Sequence, residues 1–289
     1  MSLLEAAPLA GLRDPDGVRA GENFPVALRV LPGRVRRHLH AVYGYARMLD
    51  DLGDEPVPGV GRAERLAALD AVEAQVHDLY AGRPVTLAAV ARLGPAVVER
   101  GLPMAPLLRL IEANRIDQLV TRYDTFERLV DYCTFSADPV GRLVLHVFGT
   151  PRPEQVALSD RVCTGLQLVE HLQDVGEDRR RGRVYLPAED LDRFGVTEAD
   201  LDAGSAGPAL RALVAFEAER AAAWLTSGAP LVATLRGWAR LAVSGYLAGG
   251  RAALTALART GHDSLREPPG RSSRLVLAHW VAATVRSAG

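Results

Sequence analysis

Lysine is absent from this chain of 289 residues, and all 34 of its basic residues are arginine. That excludes a phosphate-cradling P-loop lysine and a Schiff-base lysine. A GC-rich coding bias would produce the same skew without any functional demand. Cysteine is nearly absent too, and Cys133 and Cys163 fit neither a zinc spacing nor a disulfide framework. An excess of either charge is missing: 35 acidic residues against 34 basic ones leave a net charge of -1. No global field therefore calls for nucleic acid or an anionic membrane, and any phosphate recognition has to be local. The opening residues "MSLLEAAPLAGLRDPDG" lack the basic start and apolar run of a signal peptide, and no uncharged apolar run is long enough to span a bilayer. The expectation is a cytoplasmic protein that remains able to dock on a membrane surface. GxGxxG loops, serine-nucleophile motifs and aromatic-basic interleaving are missing as well.

What the chain has in quantity is apolar sequence, 48% of all residues, enough for a sizeable core. Apolar residues recur three and four positions apart in "AERLAALDAVEAQVHDLY" and "RLAVSGYLAGGRAALTALA", while alternating runs are scarce. The chain reads as all-α. Proline and glycine interrupt the pattern at "EPVPGVG", "GRPVT", "RLGPAV", "RGLPMAP", "GTPRPEQ", "LPAED", "DAGSAGPA", "TSGAP" and "REPPGRSS". These breaks predict about nine or ten helices joined by short loops. Repeats, low-complexity tracts and long linkers are absent, so residues 1–289 are expected to form one helical domain.

Two acidic motifs stand out. In "YARMLDDLGDEPVP", Asp50 and Asp54 lie four apart at the end of a predicted helix, so both carboxylates share one face, and Asp51 points elsewhere. Each acid in a last turn forgoes ~0.3–1 kcal/mol of dipole complementarity, so something should compensate. A divalent cation would. Mg²⁺ takes one or two carboxylates, keeps several waters and shares its remaining positions with substrate phosphate. One such pair is expected by chance in a chain with 19 Asp. A second is present: "GLQLVEHLQDVGEDRRRGRVYLP" carries Asp174 and Asp178, again four apart on an apparently helical run, with Glu177 beside them. Both motifs have apolar helix on their N-terminal side, so both could face one cavity inside a bundle. Two carboxylate pairs on opposite walls would hold Mg²⁺ ions bridged by a diphosphate. Of Arg179, Arg180, Arg181 and Arg183, most are expected on a solvated face or paired with Glu177. The chemistry this suits is departure of diphosphate, with the resulting carbocation kept from water in an apolar, aromatic-lined space.

Competing metals are poorly served. A di-iron bundle wants Glu-x-x-His on two helices, and no Glu here has His at that spacing. His38 and His40 lie two apart, while His77, His146, His171, His262 and His279 are scattered, which suits zinc no better.

With these residues in view, the sequence resembles the squalene/phytoene synthases, the head-to-head isoprenoid synthases, over most of its length. "HAVYGYARMLDDLGDE" is similar to that family's first aspartate-rich motif and "GLQLVEHLQDVGEDRRRGRVYLP" to its second. "DYCTFSADPVGRLVLHVFG" is similar to its Tyr-Cys segment, and "SGYLAGGRAAL" stands where the family has a late Tyr-bearing helix. The forms "GENFPVALRVLP" and "SADPVGRLVL" resemble the bacterial hydroxysqualene synthases of hopanoid biosynthesis. The resemblance implies an isoprenoid synthase fold, a helical bundle with a central cavity. It also implies a lyase that ionises presqualene diphosphate, rearranges the cation and quenches it with water, using Mg²⁺ and no nicotinamide. Carried over, Asp50, Asp54, Asp174 and Asp178 are the implied Mg²⁺ ligands, with Asp51 and Glu177 as supporting acids. Arg47 is implied to contact diphosphate, Gln167 to line the site, and Tyr132 and Tyr246 to lie against the substrate or its leaving group; among the arginines after the second motif, Arg183 is the candidate contact to substrate phosphate. Asn23 and Phe24 are placed at the substrate by the subgroup motif alone.

The chain departs from the family at Glu170, where many members have Asn, and at Gln173, where many have Arg. The first adds a carboxylate to the implied metal set, and the second removes a phosphate donor. Two alternatives stay open: a transferase of the same scaffold that condenses two prenyl diphosphates to squalene, presqualene diphosphate or phytoene, and a non-catalytic relative that assembles or carries lipid. Apolar helix faces near the termini suit peripheral contact with the inner face of the plasma membrane.

Overall fold

The computed structural model describes residues 31–54 and 60–266. Among them are fourteen helices and no strand: α1 Gly33–Asp54, α2 Arg62–Tyr80, α3 Ala88–Ala91, α4 Gly94–Arg100, α5 Met104–Asp117, α6 Phe126–Ser136, α7 Asp138–Phe148, α8 Pro153–Gln173, α9 Val175–Arg180, α10 Ala188–Phe194, α11 Glu198–Leu201, α12 Pro208–Gly228, α13 Leu231–Thr234 and α14 Gly237–Arg259. The all-α class is the one the periodicity predicts. The helices beyond nine or ten include α3, α11 and α13, each of four residues and too short to show a period. The described chain divides into two compact units. Unit 1 holds Leu31–Val120 and Pro139–Arg152, and unit 2 holds Thr121–Asp138 and the residues from Pro153 onward.

In unit 1, α1 buries Val35, Leu39, Val42 and Leu49, none more than 3% exposed, at the three-, four- and seven-residue spacing of one helical face. Burying each Leu contributes about 1.5–3 kcal/mol. This face and that of α2 both pack on α5, whose Leu107 and Ile111 are fully buried. Tyr45 is fully buried in the same layer, and its hydroxyl donates to the Leu107 carbonyl at 3.0 Å. The turn from α2 into α3 is organised by the buried Gln75, whose Oε1 accepts from the backbone N–H groups of Thr86 at 2.8 Å and Leu87 at 3.2 Å.

Unit 2 is built on α8 and α12. A Cβ at Gly165 would stand 2.9 Å from Leu225 N, and one at Gly228 would stand 2.8 Å from Val162 N and 2.9 Å from Leu158 O. The position numbers run in opposite senses, so the two helices are antiparallel and touch backbone to backbone. Glycine is what permits so close an approach. Helix α14 packs against both. Among the described residues it alone is long and apolar enough to cross a membrane by length and composition, yet half of its most apolar window is buried inside the protein. Its buried Ala242, Leu247, Ala248 and Ala252 form part of the core.

The same unit buries charge. Arg220 on α12 donates to Asp190 Oδ2 at 2.6 Å and to Glu217 Oε1 at 3.0 Å, and its guanidinium lies over the rings of Phe126 and Phe216 at 4.4 and 4.3 Å. One cation serves two buried carboxyl groups. Burial foremost pushes Glu217 up to about 8, and the neighbouring Asp190 adds to the rise against the opposing pull of Arg220.

Two expectations follow from this packing. Gly228→Ala sets a Cβ against backbone atoms that no rotamer change can move, so it should lower unfolding free energy by ~1–3 kcal/mol in a urea titration. Gly33→Ala, with open space at its Cβ, should be near neutral. For Glu217, the folded chain keeps a proton that the unfolded chain has already released between the carboxylate range and about pH 8. Stability should therefore fall as pH rises across that window, by at most ~1.4 kcal/mol per pH unit, and level off above it. Glu217→Gln, which has the shape of the protonated acid, should flatten the slope when melting is followed across the same window.

Candidate active site

The first motif occupies the C-terminal turn of α1. Asp50 is exposed, while Asp51 is largely buried and paired with Arg47, whose Nη2 lies 2.8 Å from Asp51 Oδ1 one turn away. The helix is described to Asp54, but the Asp54 side chain is outside the described residues. Last-turn carbonyls have no helical N–H to accept from. Here they find donors elsewhere in unit 1: Arg65 Nη1 donates to Leu52 O at 3.0 Å and also to Gly53 O, and Gln118 Nε2 donates to Gly53 O at 3.2 Å. A Cβ at Gly53 would stand 2.5 Å from Asn114 Oδ1, so a larger residue at this position would have to push the Asn114 amide aside.

The second motif lies in unit 2, and its helix is not continuous. Helix α8 ends at Gln173 and α9 starts at Val175, with Asp174 between them at φ -105° and ψ 11°. The hydrogen-bond ladder still crosses the joint, from Asp174 N to Glu170 O at 3.0 Å and from Asp178 N to Asp174 O at 2.8 Å. The chain bends there because a distant segment presses in. Gly176 N donates to Ser264 O at 3.4 Å, and a Cβ at Gly176 would meet Leu265 O at 2.9 Å. Asp263 secures that segment by accepting from Ala206 N at 2.9 Å and from Arg211 Nη2 at 2.7 Å. Asp174 and Asp178 are both half-buried, and Glu170, one turn earlier, is exposed.

The arginines after the second motif divide. Arg179 forms a fork with Asp202, both contacts at 2.7 Å, and reaches Glu198 at 2.6 Å, where Arg122 also binds. Arg181 pairs with Glu177 at 2.7 Å. Arg180 is exposed and Arg183 half-buried. The backbone N–H of Arg183 donates to Asp178 O at 2.9 Å and closes the turn that ends α9.

Behind the second motif stands an aromatic cluster. Tyr132 on α6 lies 5.4 Å from Tyr123 and 5.9 Å from Tyr185, centroid to centroid. His171 stacks on Tyr185 at 3.9 Å, and its Nε2 lies 3.3 Å from Gln167 Nε2. Burial alone lowers His171 to about 3, so its imidazole is neutral at physiological pH. Tyr246 on α14 has a buried hydroxyl, raised above its ordinary range chiefly by that burial. Asn23 and Phe24 lie outside the described residues. Among the described residues, no three acids, imidazoles or thiols converge on one point as a closed metal cage.

Sequence reasoning singled out Tyr132 and Gln167 but passed over Tyr123 and Tyr185. Tyr185 had a signal, since it sits in the "RVYLP" tail of the second motif. Arg65, Gln118 and Asn114 had none, because their role exists only through contact with α1.

Comparison with known proteins places these features. A family model described as squalene/phytoene synthase matches residues 18–280. The hydroxysqualene synthase of Rhodopseudomonas palustris is 38% identical over 216 residues, which is 74% of this chain and 72% of that one. The phytoene synthase of Arthrospira platensis is 33% identical over 227 residues, covering 74% and 72%. Among solved structures, a squalene synthase, HpnC, from Alicyclobacillus acidocaldarius superposes with a TM-score of 0.76 at 42% identity, covering 83% of this chain and 89% of its own. The matched span takes in both acidic helix ends and the tyrosines behind the second, and the chain belongs to the squalene/phytoene synthase family.

Proposed function

We propose that this chain acts on a prenyl diphosphate, and specifically that it converts presqualene diphosphate and water to hydroxysqualene and diphosphate. The observation that carries the proposal is the pair of intact acidic motifs, each on a helix end held by side chains or backbone from distant segments. The likeness to hydroxysqualene synthase directs the choice of substrate and of water as the quencher.

The donor chemistry fits Mg²⁺. Asp50 with Asp54, and Asp174 with Asp178, offer only oxygen, and they would hold the ion while leaving positions for water and diphosphate oxygens. Glu170 would add a carboxylate beside the second pair. Bound with substrate, Mg²⁺ supplies neutralisation of the charge that gathers on the departing diphosphate. The chain's own groups do the rest. Arg47, anchored on Asp51, presents a guanidinium at the same helix end as Asp50, and Arg183 stands just beyond Asp178. Tyr132, with Tyr123 and Tyr185 packed around it, offers ring faces that favour a cation without attacking it. His171, kept neutral by burial, stacks on Tyr185 beside Gln167 and brings no competing charge. Tyr246, on α14, would add a further aromatic ring to the substrate's surroundings. Asp51 and Glu177 hold arginines in place through their ion pairs.

The likeness to phytoene synthase supports a second reading, condensation of two prenyl diphosphates on the same acids. A carrier without catalysis is the third. Placement on the cytoplasmic side of a membrane, at its surface, accords with so oily a substrate.

Mass spectrometry of the products separates the three. Presqualene diphosphate with Mg²⁺ and no NADPH should yield a triterpene alcohol. A hydrocarbon, or turnover of farnesyl diphosphate alone, would favour condensation. Asp50→Ala and Asp174→Ala should each lower kcat/KM by roughly a hundredfold or more, about 2.7 kcal/mol of barrier. Unchanged function in both variants would point to the carrier.

A further inference from the structure

We propose that Arg65 is the positioning residue of the first acidic motif and that it sets the cation affinity there, an inference resting on the function proposed above. Arg65 belongs to α2, beyond the turn that follows the motif, and its guanidinium donates to the carbonyls of both Leu52 and Gly53. Those two residues lie between Asp50 and Asp54. The four-residue spacing puts two carboxylates on one face only while that turn remains wound. Last turns of helices fray unless their free carbonyls are bonded. Here the bond comes from a permanent cation, which also opposes the negative end of the helix and the acids massed on it.

The remaining contacts leave the turn little room to move. Gln118 holds Gly53 O from α5's C-terminal edge at 3.2 Å, and Asn114 Oδ1 abuts Gly53 where a Cβ would be. Arg65 is thus one side of a clamp whose other side is α5. It acts through the backbone of Leu52 and Gly53, whatever binds the carboxylates beyond. Removing it frees the Leu52 carbonyl to seek water and lets the turn between Asp50 and Asp54 unwind.

Calorimetric titration of the full chain with MgCl₂ in the presence of inorganic diphosphate tests this without any turnover. Arg65→Gln should weaken Mg²⁺ binding roughly tenfold or more, the usual cost of losing an outer partner of metal ligands. Arg65→Lys should recover part of the loss. Arg83→Gln removes an arginine that pairs with Asp78 at 2.6 Å at the other end of α2 and should change nothing. A structural role alone would lower the melting temperature of Arg65→Gln and leave its Mg²⁺ dissociation constant at the wild-type value, which would overturn the proposal while the function above stands. Should Arg65→Gln fail to fold, Gln118→Leu takes its place: a smaller loss of affinity supports the clamp and an unchanged one overturns it. If the wild-type chain takes up no Mg²⁺ with diphosphate, the functional reading of the motif fails and the role of Arg65 falls with it.

Discussion

A carboxylate at the C-terminal end of a helix sits in an unfavourable field, and the two acidic motifs meet that constraint differently. At the end of α1 the answer is cationic: Arg47 pairs with Asp51, and Arg65 covers the carbonyls that make the end negative. At the second motif the answer is a break. With the joint at Asp174, Glu177 and Asp178 fall in the first turn of α9 rather than deep along one long helix. A first turn is where acids are favoured, although a helix of six residues contributes only a modest dipole. The first motif thus depends on partners that can be removed one by one, and the second on the path of the backbone.

That path is set by packing in unit 2. Backbone contact at Gly165 and Gly228 fixes α8 against α12, and so fixes the line along which Gln167, Glu170, His171 and Asp174 are strung. The segment carrying Asp263, Ser264 and Leu265 then wedges against Gly176. Arg211 holds the wedge by donating to Asp263 at 2.7 Å and to the carbonyls of Thr260 and Gly261 at 2.9 and 2.7 Å. The acids of the second motif are therefore placed in large part by α12 and by the segment after α14, both of which follow them in the sequence.

How much of this could be read from the sequence follows from what is local. The class was legible because the stretches that form α2 and α14 repeat apolar residues at helical spacing, and most loops were legible because proline or glycine marks them. The stretch 118–125 has neither, yet no helix runs through it. Its extended conformation is dictated from afar: Val184 N donates to Thr121 O and Ala188 N to Tyr123 O, both at 2.9 Å. This pairing brings Tyr123 within 5.8 Å of Tyr185, so the aromatic cluster was illegible for the same reason as the loop. The joint at Asp174 left one faint mark, Gly176, whose meaning depends on a carbonyl almost ninety residues away. Arg65 left no mark, because an arginine on an amphipathic surface helix is ordinary until a helix end is found beside it.

The absence of lysine has a structural counterpart. An arginine keeps its charge wherever it is put, so a chain whose basic residues are all arginine must pair them or leave them in solvent. Arg115 is held by Asp70 and Glu73, Arg179 by Asp202 and Glu198, and Arg220 by Asp190 and Glu217. The groups that can shed charge are treated in the opposite way. Buried His171 stays neutral, buried Glu217 holds its proton, and the Cys133 thiol is pushed up by burial foremost. Tyr132, Tyr185 and the neutral His171 thus pack ring against ring, while the fixed cations Arg179 and Arg220 are tied to acids. In the reaction proposed above, ring faces of this kind would attract a transient carbocation.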